Sequence, residues 1–219
     1  MVPNSPGTIV IYADVACPWA HLAVHRLWEA RRRTGADVRF DHRPFQLELV
    51  NERPTPKGVL DAEIPVVGAL DPGAGWQVWQ GRPWEWPVTS LPALEAVQAA
   101  KEQGLAASEA LDRALRRAFF GQSRCISMRH VVLDVAAGVP DVDERALQDA
   151  LDAGRARAAT VAKPPSEVQG SPHLFLPDGS DHPNPGIEMH WEGEHGKGFP
   201  VVDRDDPSVY DELLKRAAG

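Results

Sequence analysis

The stretch YADVACPWAHLAVHRL, residues 12–27, decides the reading of this chain. It leaves a strand, breaks at Asp14, and opens a helix with Cys17, Pro18, Trp19 and Ala20. Upstream, TIVIYA (8–13) is a short apolar, β-branched run of the kind that forms a buried strand. Downstream, Leu22, Leu27 and Trp28 recur at helical spacing before an arginine-rich last turn and a stop at Gly35. A second strand follows in DVRFDHRPF (37–45), where Val38, Phe40 and His42 alternate. The order is a β-α-β unit with Cys17 at the mouth of its helix.

Composition bounds what this unit belongs to. At 219 residues with 43% hydrophobic and 25% charged content, the chain buries a sizeable core, as one large domain or a domain carrying an insertion. A formal charge of -8 and a pI near 5.5 argue against nucleic acid or an anionic membrane surface as partner, because both select for clustered Lys and Arg. The N-terminal MVPNSPGTIVIYADV has no basic flank before an apolar stretch, and no segment approaches the length of a membrane span. A cytoplasmic location is therefore expected, where thiols stay reduced and Cys17 and Cys125 form no structural disulfide.

The rest of the chain divides by texture. Residues 51–90 are rich in Pro, Gly and Trp and read as a long ordered loop anchored by Trp76, Trp79, Trp84 and Trp86. Four helices are expected next: from Pro92 to a stop at Gly104, from a Ser108 cap to Phe120, from Ser127 to Gly138, and from Asp143 to a halt before Pro164 and Pro165. Strands return in SPHLFLPDGS (171–180) and GIEMHWEG (186–193). The last helix starts with Asp206 as cap and Pro207 in first position.

Cys17 carries the chemistry. A cysteine between strand and helix, with proline just inside, lies where free backbone N–H groups and the positive end of the helix dipole converge. That predicts a depressed thiol pKa and a nucleophilic thiolate beside the apolar face of Trp19. His21, one turn on, is placed to add positive charge or act as an acid. Cys125, between two helices and next to Arg124, is a candidate resolving thiol, against the plainer reading of a free cysteine. His173, His182, His190 and His195 match no zinc spacing, so no metal is expected.

Three features together resemble the DsbA-like branch of the thioredoxin superfamily, especially its FrnE-like members. They are DVACPWA opening a helix after the first strand, a helical insertion of about a hundred residues, and GSPHLF entering a late strand. The resemblance implies an α/β, thioredoxin-like fold with a helical insertion. Residues 1–50 and 166–219 would form the thioredoxin-like domain, and residues 51–165 the insertion with its Trp-rich loop. It also implies that Pro172 is a cis-proline facing Cys17, with Ser171 docking a thiol substrate through its backbone. Pro18, Trp19 and His21 would complete the substrate site.

Ala20 departs from that family, whose redox members carry a second cysteine there. With it the buried thiol attacks the mixed disulfide and releases substrate; alanine cannot. Three mechanisms stay open. Cys17 exchanges as a monothiol with a small thiol or a protein disulfide, a second thiol resolving it; Cys125 resolves it; or the chain follows a sister group, the kappa-class glutathione transferases and 2-hydroxychromene-2-carboxylate isomerases. In that last case a bound low-molecular-weight thiol would act on a small electrophile beneath a roof of tryptophans, against the plainer reading that the tryptophans pack the insertion. Glutathione and mycothiol are the candidate co-substrates, and no tightly bound cofactor is expected. A non-catalytic binding module is the reading of another class, and a homodimer is left open.

Overall fold

The computed structural model of the chain describes residue 2 and residues 4–219. Strand β1 (Thr8–Ala13) lies inside a four-stranded sheet, and each of its side chains is buried. Covered on both faces, it has no solvent side toward which to alternate, hence its unbroken apolar run. Strand β2 (Arg39–Pro44) pairs with it in parallel, β3 (His173–Phe175) pairs antiparallel on its other side, and β4 (Asp181–Pro183) forms the edge beyond β3. Helix α1 (Pro18–Thr34) makes the parallel crossover. It ends where Gly35 turns left-handed at φ 68° and donates its N–H to the Arg31 carbonyl.

Two large apolar clusters, with a smaller third around Val10, Tyr12, Phe45 and Phe175, hold the described residues together. The first joins the sheet to α1 and the terminal helix through Ile9, Ile11, Leu22, Leu27, Phe40 and Leu214. Each such fully buried side chain contributes about 1.5–3 kcal/mol. The chain between β2 and β3 begins with the short helix α2 (Leu47–Val50) and builds the second cluster from α3 (Lys57–Leu70), α4 (Leu91–Ala99), α5 (Leu105–Gln122), α6 (Arg129–Ala137) and α7 (Glu144–Asp152). Leu60, Leu94, Leu111, Leu115, Phe119 and Leu147 lie in it. A short α8 (Arg157–Val161) leads back toward β3. Strands β5 (Ile187–Glu192) and β6 (Phe199–Asp205) pair as a separate hairpin, and α9 (Val209–Ala218) closes the first core.

A buried ion pair fastens the second cluster to the first. Arg116 of α5, 1% exposed, holds Asp112 at 2.7 Å and donates to the Asp14 carbonyl at 2.9 Å. Asp14 is itself a junction. Its carboxylate accepts from the Ala16 amide, the Leu47 amide and the Ser90 hydroxyl, and its own amide donates to the Ser171 hydroxyl. Burial pushes its carboxyl above the ordinary range, against the pull of those donors and of Arg116. The loop that presents Cys17 is therefore gripped from four segments.

Several sequence expectations are corrected. Residues 51–90 are not one loop: α3 occupies 57–70, burying Val59, Leu60, Glu63, Ile64 and Val67 along one helical face. Pro65 inside it, with Pro54 and Pro56 before it, disguised the period. Ser108 is no cap. The helix starts at Leu105, and the Ser108 hydroxyl bonds back to the Val97 carbonyl at 2.8 Å, fully buried. The fourth expected helix breaks at Gly154, whose φ of 63° is left-handed, into α7 and α8. The last helix begins at Val209 with Ser208 at its cap, while Asp206 accepts from the Ser208 amide. Strand β6 went unread because FPVVDRD lacks clean alternation and carries Pro200.

Candidate active site

Cys17 is the N-cap residue of α1, with φ -84° and ψ 120°, and Pro18 occupies the first helical position. Its amide donates to the Asp14 carbonyl at 3.2 Å. Its thiol donates to the Ser171 carbonyl at 3.2 Å. The Ser171–Pro172 peptide bond is cis, Pro172 is buried, and its carbonyl accepts from the Asn184 amide. A cavity of about 190 Å³ opens beside the sulfur, bordered by Cys17, Trp19, Glu63, Ser171, Arg53 and His195. His195 arrives on the β5–β6 hairpin, whose tip presses on α3: a Cβ at Gly196 would lie 2.9 Å from the Val59 side chain.

The expected depression of the Cys17 pKa is overturned. Only 5% of the residue is exposed, and burial pushes its thiol up to about 12. The Ser171 hydrogen bond pulls downward, Glu63 pushes upward, and the Ala20 amide and Asp14 add smaller opposing effects. Desolvation outweighs the helix N-terminus, where Pro18 supplies no N–H and the thiol already gives its proton to a carbonyl. At neutral pH the resting sulfur is a thiol.

Glu63 is the functional candidate that sequence reasoning missed. It sits on the buried face of α3 and accepts from the Trp19 indole Nε1 at 2.9 Å. Burial raises its carboxyl to about 7, against the pull of that hydrogen bond. One signal was available: an acid at the i+4 position from Val59 on an otherwise apolar helical stripe. Asp14 was read only as the end of a strand.

His21 is placed elsewhere than expected. Its ring stacks on Phe120 with centroids 4.8 Å apart, meets Trp76 edge-on at 4.5 Å, and bonds the Ala74 carbonyl at 3.1 Å. Burial, helped by the Arg116 charge, lowers its pKa to about 3, so it supplies no positive charge to Cys17. It borders a different cavity, between α1 and α5. Cys125 packs against the helical core rather than the Cys17 cavity, both cysteines are free, and neighbouring Arg124 is paired with Asp134.

Three of the four loop tryptophans pack rather than roof, and the fourth, Trp84, anchors nothing in the core: it is 76% exposed. Trp79 and Trp86 close on Phe119, Trp76 on His21 and Phe120, and none of these borders the cavity at Cys17. The late histidines find separate partners, His173 with Asp181 and His190 with Asp203, each at 2.8 Å. Among the described residues no group of three or more His, Cys, Asp or Glu is placed to hold a metal ion, and no helix is long and apolar enough to cross a membrane.

A cysteine at the start of the crossover helix, facing a cis-proline loop across a mixed sheet with helices inserted between β2 and β3, defines a thiol protein of thioredoxin-like fold. The chain belongs to the DSBA-like thioredoxin domain family, whose model matches residues 8–190. No curated protein matches it significantly. Among solved structures it is similar to a probable DsbA oxidoreductase from Streptomyces coelicolor, at 19% identity over 96% of this chain and 89% of that one, with a TM-score of 0.62. It is also similar to the cytosolic disulfide reductase DsbM from Pseudomonas aeruginosa (17% identity, 95% and 97% covered, TM-score 0.54). A third likeness is to a 2-hydroxychromene-2-carboxylate isomerase (16% identity, 80% and 87% covered, TM-score 0.58).

Proposed function

We propose that the chain is a thiol-disulfide oxidoreductase working through Cys17 alone, with an external thiol closing the cycle. The observation that carries this reading is the single sulfur in its cavity. Cys17 stands 3.2 Å from the Ser171 carbonyl on the cis-proline loop, while Ala20, one turn on, is fully buried and offers no second thiol. Cys125 belongs to the other core, so resolution falls to a thiol from outside. At about 190 Å³ the cavity is smaller than a drug-sized pocket of about 300–1,000 Å³, which suits a low-molecular-weight thiol or the cysteine of an extended peptide. DsbM has been solved with GSH, which makes glutathione the first co-substrate to try and mycothiol the second.

In this reading the Cys17 sulfur attacks one sulfur of a substrate disulfide, a new S–S bond forms as the old one breaks, and the departing thiolate takes a proton. A second thiol then attacks the outer sulfur of the mixed disulfide and returns Cys17 to its thiol. The chemistry suits a reducing, cytoplasmic setting, where external thiols abound, and a FrnE-like place in the family. Stopped-flow exchange with glutathione disulfide tests it: second-order exchange is expected in the wild type and none in Cys17→Ala.

One observation favours a second reading. A thiol that stays protonated at neutral pH is a hydrogen-bond donor, fit to hold the thiolate of bound glutathione while that thiolate adds to a small electrophile. Calorimetry separates the two. Glutathione binding without exchange supports the transferase or isomerase role; exchange without stable binding supports the oxidoreductase.

A further inference from the structure

We propose that Glu63 is the proton acceptor and donor for Cys17, held in place by the Trp19 indole, and that the helical insertion thereby supplies the acid-base half of the exchange site. The inference rests on the exchange reading of Cys17 above and adds to it the group that ionises a buried thiol.

Three observations converge on it. Glu63 and Cys17 border the same cavity, although they come from different cores: one from α3 of the insertion, the other from the mouth of α1. Trp19, inside the CPWA turn itself, donates its Nε1–H to Glu63 Oε1 at 2.9 Å. That bond orients the carboxyl from the same helical turn that carries the sulfur. Among the described residues Glu63 Oε2 has no hydrogen-bond partner, and no Lys, Arg or His lies within ion-pair distance of it. A carboxyl sunk to 7% exposure beside the cavity that Cys17 borders, with one oxygen bonded to Trp19, keeps the other oxygen for a proton. Its raised pKa, about 7, places it where proton transfer is efficient at neutral pH.

The step balances. The Glu63 carboxylate takes the proton from the Cys17 thiol, directly or through one water. The thiolate attacks the substrate disulfide, and the departing thiolate takes the proton from the Glu63 carboxylic acid. In the second half the incoming low-molecular-weight thiol gives its proton to Glu63, attacks the mixed disulfide, and Cys17 leaves as thiolate and is reprotonated from Glu63. No electron acceptor beyond the substrate disulfide is needed.

The other titratable and charged groups at this cavity are Arg53, before α3, and His195, on the β5–β6 hairpin; Asp14 acts on Cys17 through the loop. None of them hydrogen-bonds Glu63. A passive carboxylate would have the opposite effect from a proton acceptor, because a fixed negative charge beside Cys17 disfavours its thiolate.

That opposition gives the test. The rate of Cys17 alkylation by iodoacetamide is followed from pH 5 to 10 in the wild type, Glu63→Gln and Trp19→Phe. Glu63→Gln keeps the shape and the acceptor for Trp19 but not the proton. The expected result is a wild-type profile with an inflection near pH 7 that is absent in Glu63→Gln, whose rate at pH 7.5 is lower by about 100-fold. In Trp19→Phe the inflection moves to higher pH, since the bond that favours the charged carboxylate is gone. A Glu63→Gln protein that alkylates as fast as wild type or faster overturns the proposal while leaving exchange at Cys17 standing. Carbon-13 NMR of the wild type, with the Glu63 carboxyl assigned by its loss in Glu63→Gln, reads the acid without Cys17: a midpoint near 7 supports the proposal, and one near the ordinary value of about 4.3 overturns it.

Discussion

The first and second turns of α1 meet different surroundings. Cys17 and Trp19 border an open cavity that Glu63 shares, whereas His21 is held between Phe120, Trp76 and a carbonyl. Burial drives both titratable groups toward their neutral forms, the thiol up to about 12 and the imidazole down to about 3. What separates them is the neighbour. Beside Cys17 stands an acid able to accept its proton; beside His21 stands Arg116, a cation that opposes charging further. Cys17, read as the nucleophile, and His21, read as its helper one turn on, thus part company, one at the cavity shared with Glu63 and the other between α1 and α5.

The largest effect expected is at the sulfur. Cys17→Ala should lower disulfide exchange by about three orders of magnitude, to background, in stopped-flow assays with glutathione disulfide. A retained rate would move the chemistry off α1 altogether. Next comes the joint between the two cores: Arg116→Met leaves Asp112 buried with only the His42 ring near it, at 3.5 Å, and urea unfolding should show a loss of about 3–5 kcal/mol. If the loss is under about 1 kcal/mol, the ion pair does not fasten the two cores.

Ala20→Cys sharpens the contrast by making the first turn a dithiol. The introduced thiol should close a disulfide with Cys17 and remove the need for an external resolving thiol. Filling a site that is fully buried costs stability, about 1–3 kcal/mol, which thermal melting reads.

His21→Phe is expected to be mild: stability changes by less than about 1.5 kcal/mol, with Cys17 exchange little affected. Its signature is in the pH dependence. The folded pKa of His21 lies below its unfolded value of about 6.5, so folding excludes a proton. The stability linked to it is complete above about 6.5 and is lost as pH falls from there toward 3. His21→Phe should flatten that part of the acid-unfolding curve, and an unchanged curve would contradict a neutral, clamped His21. Smallest of all, Cys125→Ser should leave exchange within about twofold of wild type, because that thiol is outside the cavity.

Much of this arrangement was legible in the residues. TIVIYA, DVRFDHRPF and the Cys17 helix announced the β-α-β unit because burial of β1 and the stripe on α1 write themselves into apolar spacing. Ser171 came only through the family resemblance, whereas Cys17 was legible as a position and Ala20 as an absence. The charge state of Cys17 was not, because local sequence shows a helix N-terminus but not the desolvation that tertiary packing adds. Glu63 was hidden for a related reason: three prolines masked the α3 period, and its partner Trp19 lies 44 positions away. The same distance problem concealed Asp14: beyond the local Ala16 amide, its partners Leu47, Ser90, Arg116 and Ser171 lie between 33 and 157 positions away.

The most direct test of the account is mass spectrometry of the native protein after incubation with glutathione disulfide at neutral pH. The account predicts one glutathione on Cys17, none on Cys125, and full release by added thiol. A label on Cys125 with Cys17 untouched, or a Cys17–Cys125 disulfide in the folded protein, would contradict it.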